Sequence, residues 1–177
     1  MKRLTRDEYF LAISNIVAAR ATCDRLWAGC VIVVDGEIAA TGYNGAPSGM
    51  QECDEVGHLM VIEDDNRPHC KRTIHAEQNA LYQAKKKHKN LIGATAYINA
   101  TPCTICLGEL LKWGIKRIVC GSIYHNAKRE EEASKLLKAW SAIMEYHPMP
   151  DITLTFQEEV SEIKKMEIKR VSPREND

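Results

Sequence analysis

Two short motifs carry metal-binding and proton-moving side chains: His75-Ala76-Glu77 and Pro102-Cys103-Thr104-Ile105-Cys106. Each lies where the residue pattern predicts a helix start. A Cys-x-x-Cys in that position turns both sulfurs towards one point, where amides and the positive dipole end favour thiolates. A histidine from a second helix start completes three protein ligands. Three ligands plus a water is the catalytic zinc pattern, whereas four closed ligands make a structural site. Glu77 follows the histidine by two positions, so a helix points it partly away from the ligand direction. From there it reaches a water at the metal without becoming a ligand. Zinc lowers the pKa of such a water towards neutrality. A carboxylate beside it can take the proton and deliver it onward, acting as base and then as acid. The competing reading is a closed zinc knuckle on Cys103 and Cys106, with Glu77 a surface carboxylate.

The elements that position these motifs are legible from periodicity. Tyr9, Phe10, Ile13, Ile16 and Val17 recur at helical steps and predict an amphipathic helix over 6–21. Val31 to Val34 and Glu37 to Ala40 flank Asp35-Gly36, a pair that tolerates positive φ and predicts a hairpin. Residues 41–71 read as a long irregular loop, which in a compact domain implies a function or an internal staple. Helices are expected over 75–86, 103–113 and 129–145. Strands are expected over 94–99 and 115–120, with a last one over 152–156. The remainder reads as a charged tail or short helix. The order implies an α/β layer arrangement with helical crossovers between the later strands. A single domain over 1–160 with a tail over 161–177 is expected.

Twenty-four basic residues balance 24 acidic ones in 177 residues. The net basic field that favours long nucleic acid is therefore missing. Thr5, Arg6, Asp7 and Glu8 follow the first residues where a secretory signal would be apolar. No apolar run reaches membrane-spanning length, so a soluble, cytoplasmic protein with no membrane partner is expected. The chain has seven cysteines, at 23, 30, 53, 70, 103, 106 and 120. An odd number in a reducing compartment points to metal binding or catalysis before disulfides.

His-x-Glu followed by Pro-Cys-x-x-Cys is the pattern of zinc nucleobase deaminases. The chain resembles the cytidine deaminase superfamily and, more closely, its deoxycytidylate (dCMP) deaminases. The likeness runs over about residues 5–150. It includes Arg20 to Arg25, Gly42 to Gly49, Cys70 to Ala80, Thr101 to Cys106 and Gly114 to Val119.

The resemblance implies a three-layer α/β/α fold around a mixed five-stranded sheet. It implies hydrolytic attack at C4 of cytosine, with Glu77 protonating N3 and helping ammonia leave as dCMP becomes dUMP. Arg25 and Tyr124 match residues that bind the 5′-phosphate, Asn44 one that contacts the sugar and base region, and Ala76 a substrate contact. Without the resemblance, Asn44 reads as an Asn-Gly turn residue, Arg25 as an exposed charge and Tyr124 as a strand-end aromatic. A second, structural zinc on Cys23, Cys53, His58 and Cys70 is also implied, with His69 the rival for His58. Family members are commonly homohexamers regulated by dCTP, with Mg2+, and by dTTP. Ala28-Gly29-Cys30, Cys120 and His125 depart from the family pattern; the two cysteines read as core residues. Three other functions stay open: an adenosine deaminase acting on transfer RNA, another cytosine nucleoside or nucleotide deaminase, and a non-catalytic zinc-stabilised binding module.

Overall fold

A computed structural model describes residues 3–62, 68–122, 127–150, 153–157 and 163–167. Helix α1 (Arg6–Ala18) starts at a capping box. The Glu8 amide donates to Thr5 Oγ1 at 3.2 Å, and the Thr5 amide donates to Glu8 Oε2 at 2.7 Å. Strands β1 (Gly29–Val34) and β2 (Glu37–Tyr43) form the expected hairpin. Asp35 and Gly36 take positive φ at its turn (51° and 83°), as a tight two-residue connection requires.

The segment between β2 and His75-Ala76-Glu77 is more ordered than its composition suggests. It holds a short helix α2 (Cys53–Val56) and a two-stranded ribbon of β3 (Met60–Ile62) and β4 (Pro68–Cys70). Then follow α3 (Ala76–Lys86), β5 (Thr95–Ile98), α4 (Thr104–Lys112), β6 (Arg117–Cys120) and α5 (Ala127–Ala139). The helix expected over 129–145 ends early. Ser141 adopts φ 49°, and the chain turns into β7 (Ile143–Tyr146), which lies parallel to β6.

The main sheet has five strands in the order β2-β1-β5-β6-β7. β1 pairs antiparallel with both β2 and β5, while β5, β6 and β7 run parallel, so the sheet is mixed. Its fifth strand is thus β7. The strand expected over 152–156 is β8 (Thr153–Gln157), which pairs with β9 (Ile163–Glu167) in a separate ribbon. The stretch read as a charged tail or short helix therefore contributes a strand.

Alternation along the strands separates two cores. Cys30, Ile32, Ala96, Ile98, Ile118 and Cys120 face α3, α4 and α5. Val31, Val33, Tyr97 and Val119 face Phe10 and Leu11 of α1. The three layers are therefore α1, the sheet, and the remaining long helices. Cys30 and Cys120 are fully buried core residues. Two glycines set the layer spacing. A Cβ on Gly29 would lie 2.1 Å from the Ser14 carbonyl oxygen of α1, and one on Gly42 2.2 Å from the Ala76 carbonyl oxygen of α3. No helix among the described residues is long and apolar enough to cross a membrane.

Candidate active site and second metal cluster

Both helices that follow the two motifs begin on a candidate ligand. His75 is the N-cap of α3 and Cys103 the N-cap of α4, each with an extended backbone. The donor atoms of His75, Cys103 and Cys106 all lie within 4.8 Å of one another. His75 Nδ1 lies 3.7 Å from Cys103 Sγ and 3.4 Å from Cys106 Sγ. Donors around a tetrahedral zinc with usual bond lengths stand about 3.6–3.8 Å apart, so the set fits that ion. The Cys106 amide donates to Cys103 Sγ at 3.4 Å, as a helix start does for a thiolate. The Cys103 thiol is drawn down to about 4, first by its hydrogen bond with Cys106 and further by His75; the same bond pushes Cys106 up.

Glu77 is 5% exposed and is not a member of the three-donor cluster. Its carboxyl hydrogen-bonds with Cys106 and feels His75 and Cys103. Burial raises its pKa above the ordinary carboxylate value, partly offset by His75. A buried carboxylate beside a cation site, yet outside the ligand set, is placed to exchange protons with whatever binds there.

Cys23, Cys53, His58 and Cys70 bring their donor atoms within 4.8 Å of one another. Cys23 Sγ lies 3.8 Å from His58 Nδ1, and Cys53 Sγ 3.6 Å from Cys70 Sγ. Four converging sulfur and nitrogen donors make the closed type of zinc site. His58, not His69, belongs to this group; His69 sits on β4 opposite Val61. Burial opposes it, but hydrogen bonds from Thr73 and from the backbone at Arg72 and Leu59 hold the Cys70 thiol down at about 6.

The other candidates are placed less centrally. Asn44 is buried, and its side chain is occupied at both ends. Its Oδ1 accepts from the Ala76 amide at 2.8 Å, and its Nδ2 donates to the Leu26 carbonyl at 2.9 Å. It braces the start of α3 against the end of β2. Arg25 is exposed and donates to the Pro68 carbonyl at 3.1 Å. Tyr124 and His125 lie outside the described residues.

Sequence reasoning passed over several groups that hold these sites. Asp24 Oδ1 lies 2.9 Å from His58 Nε2, the ring nitrogen turned away from Cys23. A carboxylate there fixes tautomer and ring orientation, as around many histidine ligands. Its place beside Cys23 was the available signal. Thr73 Oγ1 sits 3.3 Å from Cys53 Sγ, which nothing in the sequence marks. Asn99, buried at the end of β5, accepts from the Gly29 amide at 2.9 Å and donates to the Trp27 carbonyl at 2.9 Å. It ties the strand leading to Cys103 to the strand carrying Cys30.

Residues 4–122 match the family model described as the cytidine and deoxycytidylate deaminase zinc-binding region. The chain belongs to the cytidine and deoxycytidylate deaminase family. It is 40% identical to the ComE operon protein 2 of Bacillus subtilis, over 70% of this chain and 63% of that protein. It therefore spans less than two thirds of that relative's length. It is 37% identical to the deoxycytidylate deaminase of Mycobacterium phage D29, over 67% of this chain and 96% of that one. The crystal structure of the cyanophage S-TIM5 dCMP deaminase with dCMP and dUMP shares the fold. Its TM-score is 0.66 at 24% identity, covering 83% of this chain and all of that one.

Proposed function

We propose that the chain is a zinc-dependent hydrolytic deaminase that converts dCMP and water to dUMP and ammonia. The observation that carries this reading is Glu77: a buried carboxylate that touches a three-donor cluster without joining it. His75, Cys103 and Cys106 would hold the catalytic zinc, which when bound would supply the Lewis acidity that makes water a nucleophile at neutral pH. Glu77 accepts the proton lost by the attacking water and delivers it to N3 of cytosine; the second proton, from the new hydroxyl at C4, then passes through Glu77 to the amine as the C4–N bond breaks and ammonia leaves. The Ala76 amide and Asn44 line the base and sugar side, and Arg25 with Tyr124 receives the 5′-phosphate. Arginine suits that role because its fork donates two parallel hydrogen bonds.

Cys23, Cys53, His58 and Cys70 hold a second, structural zinc that fixes the segment between β2 and α3. Regulation by dCTP with Mg2+ and by dTTP, assembly as a homo-oligomer of hexameric type, a cytoplasmic location and supply of dUMP for thymidylate synthesis belong to the same proposal. They are supported by the family resemblance. The deciding experiment compares ammonia release from dCMP, CMP, dCTP, deoxycytidine and transfer RNA. Fastest turnover of dCMP is expected. Turnover of another member with none of dCMP would replace the substrate assignment.

A further inference from the structure

One carboxylate oxygen ties three stretches of the chain together. Glu52 Oε2 accepts from Thr22 Oγ1 at 2.6 Å and from the Ala46 amide at 2.6 Å. Thr22 directly precedes Cys23, and Glu52 directly precedes Cys53. The first bond therefore joins the chain neighbours of two donors in the four-residue cluster. The second bond ends on the other site. Ala46 follows Asn44 and Gly45, the segment that braces the start of α3. The Thr22 amide donates to the Asn44 carbonyl at 3.1 Å, and Gly45 and Ile74 exchange backbone bonds at 3.3 and 2.9 Å. The Ala76 amide then donates to Asn44 Oδ1 at 2.8 Å. Hydrogen bonds, joined by short covalent steps, thus lead from Thr22 and Glu52, the neighbours of Cys23 and Cys53, to Ala76 between His75 and Glu77.

Glu52 belongs to neither donor cluster and is only partly buried. Bonds accepted by an ionised carboxylate are the stronger kind. Removing them frees the Ala46 amide and the Thr22 hydroxyl and takes away Glu52's half of the capping box at the start of α2, but deletes none of the seven cluster donors. His75 and Glu77 remain held by α3, and Cys103 and Cys106 by α4.

We propose that Glu52 is a positioning residue that locks the Asn44–Ala46 edge of the active site onto the Cys23/Cys53/His58/Cys70 cluster. The effect on substrate binding rests on the deaminase reading; the effect on the loop does not. Two arms therefore test it. In the first, Glu52→Ala raises KM for dCMP about tenfold with kcat within about twofold, because the lost interaction orders the substrate side and not the proton-moving group. Metal content stays at the wild-type value, and Glu52→Gln recovers most of the KM because its amide oxygen still accepts. In the second arm, hydrogen exchange at the Ala46 and Ala76 amides quickens about tenfold in Glu52→Ala, while β5 amides keep their wild-type rates. Thr22→Val removes only the hydroxyl bond and gives a smaller increase at Ala46, which covers the case of a Glu52→Ala chain that does not fold. Unchanged exchange at Ala46 and Ala76 in the variants would overturn the proposal. So would equal acceleration across the sheet, or a Gln variant no better than Ala in KM. A wild-type chain inactive on every cytosine nucleotide would remove the deaminase reading, and the exchange arm alone would then decide the role of Glu52.

Discussion

Replacing Gly42 by alanine tests how the fold sets the geometry of the metal site. Strand β2 and helix α3 touch through backbone at this point. A Cβ on Gly42 meets the Ala76 carbonyl oxygen at 2.2 Å, the Ala80 amide nitrogen at 2.3 Å and the Ala80 Cα at 2.9 Å. None of these is a flexible side-chain end, so the helix itself must retreat by roughly 1 Å to reach ordinary contact. Overpacking of this kind costs about 1–3 kcal/mol. In a chain of this size that lowers the melting temperature by about 2–4 °C per kcal/mol. The retreat also carries His75, the N-cap of α3, away from sulfurs that stand 3.4 and 3.7 Å from its Nδ1. Misplacement on that scale costs roughly a hundredfold in rate where geometry limits the chemistry. Gly29→Ala supplies the control, because its Cβ meets the Ser14 carbonyl oxygen at 2.1 Å and displaces α1 instead. Both variants should melt early by circular dichroism. Only Gly42→Ala should also lose affinity for the metal at His75, Cys103 and Cys106, measured by chelator competition. Equal metal affinity in the two variants would refute the claim that β2 sets the position of α3.

Asp24→Asn removes the carboxylate charge beside His58 and should weaken metal retention at the second cluster about 10- to 100-fold, with the first cluster unaffected in the same chelator titration. Loss from both clusters alike would contradict the assignment of Asp24 to His58. The Arg117 guanidinium holds the Asp7 carboxyl at about 2, well under its ordinary 3.8. A depressed carboxylate stabilises the fold above its unfolded value, and this contribution fades as pH falls through the folded one. Asp7→Asn should therefore cost about 2 kcal/mol near neutral pH. Urea titrations of metal-free protein should show the gap to wild type closing between about pH 4 and pH 2. A gap independent of pH would mean that the ion pair between α1 and β6 is not its source.

Much of the fold was readable because its signals are local. The Asp35-Gly36 turn, the helix-period apolar residues of α1, and Gly114 after α4 each act on their immediate neighbours. The donors at His75, Cys103 and Cys106 were readable because their spacing is itself the chemistry. Strand β7 was missed for a physical reason. Leu136, Leu137, Trp140 and Met144 continue a helical spacing, and only the left-handed turn at Ser141 breaks it. No glycine marks that turn. The ribbon of β3 and β4 was hidden too, since Met60, Val61 and Ile62 are all exposed and show no alternation. The reach of Glu52 to Thr22, of Asn44 to Ala76, and of Gly42 to Ala80 spans 30 to 38 residues of chain or depends on layer spacing, and no local pattern encodes it.

The central claim is that Glu77 moves protons and does not hold metal. Glu77→Ala bears on it most directly, with ammonia release from dCMP and zinc per chain measured on the same preparation. Wild-type zinc content and melting behaviour with deamination lowered by a factor of about a hundred or more is the expected result. Deamination at the wild-type rate, or loss of the zinc along with the activity, would contradict the role assigned to this carboxylate.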